Sequence, residues 1–235
     1  MSHHYLSFTA VNYSYPSGLH AVRDLTLNIP HGSRVALLGA NGAGKSTLLL
    51  LAAGLLTPSS GEISVGGIPI SPRTMPLVRA AVGFVFQNPD DQLFMPTVRD
   101  DVAFGPVNMG LSDSEVERRV EQALTRVGSL HLADRSADTL SAGQKHSAAI
   151  ATVLSMEPSI LLMDEPSAGL DPRARRRLIQ ILSEFSHTCL MATHDIEMAR
   201  ELCPQAIVMC DGRVVAEGLT SDILLDAPLL ESAGL

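Results

Sequence analysis

A glycine-rich segment from residue 39 to residue 47 offers the clearest chemistry in the chain. It reads GANGAGKST and fits the pattern G-x-x-x-x-G-K-[ST]. Glycines let successive backbone N–H groups turn inward toward phosphate oxygens, and a following helix adds the positive end of its dipole. Lys45 then reaches the β- and γ-phosphates, and the Ser46 hydroxyl ligates Mg²⁺. The segment predicts a nucleotide site formed by Gly39, Asn41, Gly42, Ala43, Gly44, Lys45, Ser46 and Thr47.

Two adjacent carboxylates follow an apolar run further along the chain. Asp164 and Glu165 come directly after Ile160 to Met163, which has the pattern of a buried parallel strand. Such strands deliver their last residues to the carboxyl edge of the sheet, where ligands bind in open α/β folds. Successive residues point to opposite faces, so the two carboxylates can take different roles. We expect Asp164 to hold Mg²⁺ and Glu165 to act as general base toward water.

A segment of small residues predicts a second place where an anion can bind. Ser141, Gly143 and Gln144 open an apolar-periodic stretch that runs to Met156, the pattern of a helix. The exposed N–H groups at a helix start attract negative charge.

Two more polar residues lie at predicted element ends. Asp171 with Pro172 predicts an N-cap and first turn of a helix that runs to about His187. His194 follows the short predicted strand Thr188–Ala192. A lone histidine after a strand is more often structural, but this one ends a strand beside the proposed site, which favours function.

Together these motifs resemble the ATP-binding cassette (ABC) ATPases over nearly all 235 residues. The motifs appear in the order that this family shows. They are the glycine-rich segment 39–47 (the P-loop), Gln87, LSAGQ, LLMDEP, SAGLDP and His194. The resemblance implies an α/β fold: a P-loop core with a mostly parallel sheet, an N-terminal antiparallel part and an inserted helical subdomain. We expect a single domain, 1–235, with its core in 1–86 and 156–235 and the helical subdomain at about 87–155.

The resemblance also implies ATP hydrolysis with Mg²⁺ in a head-to-tail dimer, either a homodimer or a heterodimer with a related ATPase. Each ATP lies between the P-loop of one subunit and the Ser141–Gln144 segment of the other, and Asp171 belongs to the same binding set. Gln87 senses Mg²⁺ and the attacking water, and His194 contacts the γ-phosphate. Tyr15 stacks on adenine, with Tyr13 as the alternative because alternate strand residues face opposite ways.

One segment resembles a particular class of ATPases within this family. FQNPDDQLF, from Phe86 to Phe94, followed by TVRDDVAFGP, resembles the ATPases of energy-coupling-factor importers, above all the cobalt and nickel type. Those importers take up transition-metal ions or vitamins. The resemblance implies a transmembrane coupling subunit that docks near Gln87–Phe94 and a separate membrane component that binds the substrate. We expect a peripheral protein on the cytoplasmic face of the cell membrane.

Composition weighs against the competing interpretations. A formal net charge of -8 disfavours nucleic-acid binding, and with it a soluble ABC ATPase that acts on nucleic acid or ribosomes. A non-hydrolysing nucleotide-binding module is disfavoured because both Glu165 and His194 are present. No apolar run approaches the roughly 18 residues that span a bilayer. The three cysteines lack a C-x-x-C spacing and fit small buried side chains, and His3 and His4 fit a disordered terminus.

Local patterns predict the elements that position these groups. Strands are expected at 6–13, 25–29 and 62–65, a helix at 48–56, and a hairpin around Asp211-Gly212. Ser112 with Glu115 predicts a capping box, followed by an amphipathic helix whose apolar positions are Val116, Val120, Ala123, Leu124 and Val127.

The segment LSAGQKHS, Leu140 to Ser147, is here called the signature segment. It departs from the family pattern at three positions. Ala142 stands where the family usually has glycine, and His146 and Ser147 replace the usual basic pair. If the glycine serves a left-handed backbone, Ala142 strains the segment, and Ala142→Gly raises activity modestly; this is the outcome we expect. If it serves only close approach to phosphate, the substitution is nearly neutral.

Overall fold

The computed structural model describes residues 5–235, so the expectation for His3 and His4 lies outside the described residues. The strands are β1 (Leu6–Ser14), β2 (His20–Ile29), β3 (Arg34–Leu38), β4 (Ser60–Val65), β5 (Ile68–Pro69), β6 (Val82–Val85), β7 (Ile160–Asp164), β8 (Thr188–Ala192), β9 (Gln205–Cys210) and β10 (Arg213–Leu219). The helices are α1 (Lys45–Ala52), α2 (Met75–Ala81), α3 (Val98–Asn108), α4 (Asp113–Arg126), α5 (Ala142–Leu154), α6 (Pro172–Glu184), α7 (Ile196–Leu202), α8 (Thr220–Ile223) and α9 (Ala227–Ser232).

The chain divides into two compact units. The first comprises residues 1–82, 159–165 and 186–235, of which the structure describes residue 5 onward. The second comprises 83–158 and 166–185.

An antiparallel sheet opens the first unit, with strand order β2-β1-β4-β5. In β1, Leu6 and Phe8 are buried, and they lie opposite Ile29 and Leu27 of β2. This alternation of buried and partly exposed residues is typical of a sheet with one covered face. The N-terminal antiparallel part is therefore confirmed.

The second sheet of this unit carries the candidate site. Strands β9, β3, β8 and β7 run parallel as neighbours in that order, and β10 pairs antiparallel with β9. Val35 to Leu38 of β3 are all buried, as expected for a strand covered on both faces. Because β3, β7 and β8 are parallel neighbours, their last residues meet at one edge. The mostly parallel P-loop core is confirmed.

The second unit is largely helical. It contains α3, α4, α5 and α6, with short 3₁₀ turns at Pro89–Asp91, Leu130–Leu132 and Ala137–Thr139. Its core residues include Val98, Val102, Val120, Leu124 and Leu132, each at most 2% exposed. The prediction of a helical part is confirmed.

Helix α4 has the predicted apolar face, but its start differs from the prediction. Ser112 is the N-cap residue and makes no side-chain capping hydrogen bond, so the expected capping box is wrong. Glu115 instead binds Arg118 at 2.6 Å and Arg119 at 2.8 Å, and the pKa of Glu115 falls to about 2. Two arginines outcompete the single backbone N–H that a capping box would supply to Glu115.

None of the helices in residues 5–235 is long and apolar enough to cross a membrane.

Candidate functional site

The loop between β3 and α1 has a backbone that only glycine fits. Gly39, Gly42 and Gly44 all have positive φ. A Cβ at Gly39 would lie 2.3 Å from the Met209 carbonyl oxygen, and one at Gly44 would lie 2.3 Å from that of Ala21. Because neither backbone oxygen can move away to make room for a Cβ, both positions require glycine, as the motif predicts. Helix α1 begins at Lys45, three residues earlier than the apolar run beginning at Leu48 indicates.

Lys45, the first residue of α1, has a buried side chain. Its ammonium group donates to the carbonyl oxygens of Gly39 at 2.7 Å and Ala40 at 3.1 Å. Burial lowers the pKa of Lys45, and the charges of Glu165 and Asp164 oppose that shift. The cation is thus held over the loop by two neutral acceptors, which a phosphate can displace.

Asp164 ends β7 with one carboxylate oxygen, Oδ1, that is buried and has no hydrogen-bond partner among the described residues. Burial raises the pKa of Asp164, while a hydrogen bond from Ser46 and the charge of Lys45 act in the opposite direction. A buried carboxylate oxygen without a partner is costly unless it receives a cation or a bound water. The pairing of Ser46 with Asp164 therefore fits a Mg²⁺ site, since hard oxygen donors are what this ion prefers.

Glu165 follows directly and is strained. Its φ of 47° lies in the left-handed region, and its N–H donates to the Ala192 carbonyl at 2.8 Å. One oxygen, Oε2, lies 2.8 Å from Nδ1 of His194 and accepts from the His194 N–H at 3.2 Å. The Glu165 side chain is 7% exposed and that of His194 69%. A strained, buried carboxylate next to an accessible histidine is typical of a functional site.

The two tyrosines proposed for adenine lie together at the end of β1 and just beyond it. Their rings form an edge-to-face pair with centroids 5.0 Å apart. The Tyr15 hydroxyl lies 3.0 Å from the hydroxyl of Thr47, which belongs to the predicted nucleotide set. Tyr15 is thereby linked to α1.

The loop between β3 and α1 makes one more contact, which the sequence does not predict. The Ala40 N–H donates to the Ala233 carbonyl at 3.1 Å, just beyond α9. A Cβ on Gly234 would lie 2.9 Å from the Ala40 side chain, so glycine permits this close approach.

In the second unit, Ser141 caps α5 through a capping box. The Gln144 N–H donates to the Ser141 hydroxyl at 3.4 Å, and the Gln144 side chain accepts from the Ser141 N–H at 2.9 Å. Gly143 is open, since the nearest atom to an added Cβ is 3.9 Å away. The remaining N–H groups of the first turn can receive an anion.

The strain expected at Ala142 is absent. Ala142 is the first residue of α5, and the structure's residues with positive φ do not include it. Our expectation of a left-handed backbone there is therefore wrong, because a helix start needs ordinary right-handed geometry that alanine adopts freely.

The other two departures in α5 are turned inward. Ser147 donates to the Gly143 carbonyl of its own helix at 3.0 Å. His146 is 5% exposed, and neither ring nitrogen has a hydrogen-bond partner in the part of the chain that the structure describes. Burial lowers the pKa of His146, and the nearby backbone carbonyls of Ala142 and Gln87 oppose that shift without forming hydrogen bonds of normal geometry.

Asp171 is the N-cap of α6, as predicted. It accepts from the N–H groups of Arg173 at 2.8 Å and Ala174 at 2.9 Å, which lower its pKa. Gln87 follows β6, at the start of the segment that contains the 3₁₀ turn.

Comparison with known families decides the identity of this arrangement. The model of the ABC transporter family matches residues 22–168, which include the P-loop, Gln87, the start of α5 and both carboxylates. The chain belongs to the ABC transporter family. As an ABC ATPase it binds and hydrolyses ATP.

Two curated relatives align along most of their length. A Geobacter sulfurreducens chain with the provisional name ABC transporter ATP-binding protein is 52% identical over 100% of this ABC ATPase and 94% of its own length. The energy-coupling factor transporter ATP-binding protein EcfA of Methanothermobacter thermautotrophicus is 44% identical over 96% of this chain and 74% of its own.

Two solved ABC structures share the fold. cbiO1 from Clostridium perfringens, part of the ABC transporter complex cbiONQ, matches with a TM-score of 0.84 and 41% identity over 98% of this chain and 94% of its own. The MJ0796 cassette, a dimer in a post-hydrolysis state bound to ADP and Pi, matches with a TM-score of 0.83 and 28% identity over 92% and 98%.

Proposed function

We propose that this ABC ATPase is the ATP-binding and ATP-hydrolysing subunit of an energy-coupling-factor importer for cobalt or nickel ions or a vitamin. The names of EcfA and of cbiO1 in the cbiONQ complex support this importer class. So does the segment from Gln87 to Phe94, which ends in an exposed aromatic residue. The peripheral position on the cytoplasmic face of the membrane follows from this role.

The first unit supplies the chemistry. Lys45 leaves its two carbonyl acceptors to bind the β- and γ-phosphates, and the loop N–H groups surround them. Ser46 and Asp164 would hold Mg²⁺, which would neutralise phosphate charge when bound. Gln87 would act as the sensor of this ion. Glu165 accepts the proton of the attacking water, and His194 orients Glu165 and contacts the γ-phosphate. Tyr15 stacks on adenine, supported by its contact with Thr47.

The start of α5 acts on the nucleotide of a second subunit. Ser141 and Gln144 pair with each other through the capping box, which leaves the Gly143 N–H in the first turn for an anion. The head-to-tail dimer, of identical or related ATPases, therefore brings this neutral N-terminus to a phosphate that another P-loop holds. Asp171 supports the same face by capping α6.

Phe94 carries the docking proposal. Its ring is 64% exposed and packs edge-to-face on Phe104, which is 46% exposed, with centroids 5.0 Å apart. Exposed aromatic pairs are costly in water and common at binding sites. Asp91, just upstream, is exposed and forms no ion pair with any residue from 5 to 235, so a partner with apolar and basic groups is complementary.

The test is co-expression with a transmembrane coupling subunit of an energy-coupling-factor importer. We expect Phe94→Ser to lower partner-stimulated ATPase activity at least about fivefold, since exposed anchors are worth 1 kcal/mol or more. The ATP affinity of the isolated subunit should stay the same. Leu77→Ser, which changes another exposed apolar side chain, is the control.

Equal losses in the isolated and the assembled preparations would show that Phe94 serves the fold rather than docking. Co-purification of nucleic acid or ribosomes in place of a membrane protein would support the alternative, a non-transport ABC ATPase. The transported substrate is tested by uptake of Co²⁺, Ni²⁺ or a vitamin in cells that carry the complete complex.

A further inference from the structure

A hydrogen-bonded bridge joins the segment that carries Gln87 to helix α5. The Phe86 N–H donates to the side-chain oxygen of Gln92 at 3.1 Å. The Gln92 amide nitrogen donates to the Ala149 carbonyl at 2.8 Å and to the Thr152 hydroxyl at 2.7 Å. One side chain thus connects the residue before Gln87 with the middle of α5.

The bridge requires a primary amide. It needs one acceptor for Phe86 and two donors for α5, and no charged side chain offers both. Ala149 and Thr152 are buried, so water competes weakly for these bonds. Thr152 in turn donates to the Ala149 carbonyl at 2.8 Å, which fixes the hydroxyl oxygen as the acceptor for Gln92.

Two further contacts hold the same segment. Lys145 near the start of α5 forms an ion pair with Asp90 at 2.5 Å, and the Lys145 side chain is only 19% exposed. The buried Asp101 of α3 accepts from the N–H groups of Phe94 at 2.9 Å and Met95 at 3.0 Å. The segment is therefore attached to α5 at two points and to α3 at a third.

We propose that Gln92 is a positioning residue for ATP hydrolysis. Through its hydrogen bonds, the segment from Phe86 to Gln92 moves together with α5 as one body. The first turn of α5 contains Ser141–Gln144. A displacement of Gln87 then carries the Ser141–Gln144 turn with it. Gln92 acts through Gln87, so the inference rests on the role proposed for Gln87.

The experiment is a double-mutant cycle on the full-length protein, with kcat and KM for ATP measured separately. Gln92→Leu keeps the side-chain volume and removes all three hydrogen bonds. We expect kcat to fall about tenfold and KM to change less than about twofold, because fewer molecules hold Gln87 productively. Gln87→Ala should have a similar effect, and the double variant should be no slower than the slower single variant.

Two additional variants separate positioning from folding. Thr152→Val keeps the shape and the bond from Gln92 to the Ala149 carbonyl, but removes the hydroxyl that accepts from Gln92 and donates to Ala149. The value of kcat should therefore fall by a smaller factor, about two- to threefold. Gln180→Leu changes an exposed glutamine of α6 whose amide donates to Glu184 at 3.4 Å, and should leave kcat unchanged.

Normal kcat in Gln92→Leu together with impaired Gln87→Ala would overturn the inference. So would multiplicative losses in the double variant, which would mean that Gln92 acts independently of Gln87. Normal activity in Gln87→Ala would instead refute the role proposed for Gln87, and the inference would fall with it.

Discussion

The loop before α1 and the turn that begins α5 both offer a helix N-terminus, yet their backbones differ. In the first, Gly39 and Gly44 have positive φ, and a Cβ on either would collide with a backbone oxygen. In the second, Ala142 takes ordinary helical geometry, and Gly143 has free space around it. One site is shaped by a strained loop that tolerates only glycine, and the other by regular helix geometry.

Their polar groups differ in the same way. Lys45, Asp164 and Glu165 are buried charges that act on one another within the first unit. Ser141 and Gln144 are neutral and satisfy each other. Substitutions in the first region should therefore abolish chemistry, whereas substitutions in the second should weaken assembly or stability by smaller amounts.

The largest effect is expected at Lys45. Lys45→Met keeps the aliphatic stem and removes the cation, so kcat should fall about 100-fold or more and ATP affinity should weaken. Steady-state ATPase kinetics and equilibrium ATP binding measure the two effects. Arg126→Met, which removes an exposed cation of α4, should have no effect. Normal turnover of Lys45→Met would refute the P-loop assignment.

Glu165→Gln should come next. The amide cannot accept a proton from water, so hydrolysis should fall about 100-fold while ATP binding persists. ATP and Mg²⁺ should then trap a dimer, visible by size-exclusion chromatography. A protein that stays monomeric in every nucleotide condition would contradict the head-to-tail arrangement.

Ser141→Ala tests the other region. Loss of the cap should cost about 1 kcal/mol in the free energy of unfolding, and ATP-driven dimerisation should weaken while the ATP affinity of the monomer stays the same. Urea unfolding and size-exclusion chromatography measure these outcomes. Ser112→Ala is the matched control, since Ser112 sits at an N-cap without a capping bond. Equal destabilisation by both variants would show that the Ser141 cap contributes nothing specific.

The smallest effect is expected at Ala142. Because no strain is relieved there, Ala142→Gly should change kcat by less than about twofold and lower stability slightly through the helix propensity of glycine. A rise in kcat of fivefold or more would show that the segment adopts a left-handed backbone during turnover.

Sequence patterns predicted the first region well because its geometry is local. The glycine spacing dictates the loop, and the strand pattern before Asp164 dictates where the carboxylates emerge. The second region depends on distant partners. The acceptors of Gln92 lie 57 and 60 residues further along the chain, so no short pattern indicates them. The capping box at Ser112 failed for a different, local reason: two arginines one turn further along the helix compete for the Glu115 carboxylate.

The hydrogen bond from Ala40 to Ala233 gives the nucleotide loop a built-in reporter. A backbone amide exchanges its hydrogen with solvent only when its hydrogen bond opens. The exchange rate of the Ala40 amide therefore measures how often its hydrogen bond to the Ala233 carbonyl breaks. A fusion partner attached beyond Leu235 should accelerate that exchange if it displaces Gly234 from Ala40. An N-terminal tag leaves this contact intact and is the better choice for measurements on the nucleotide loop.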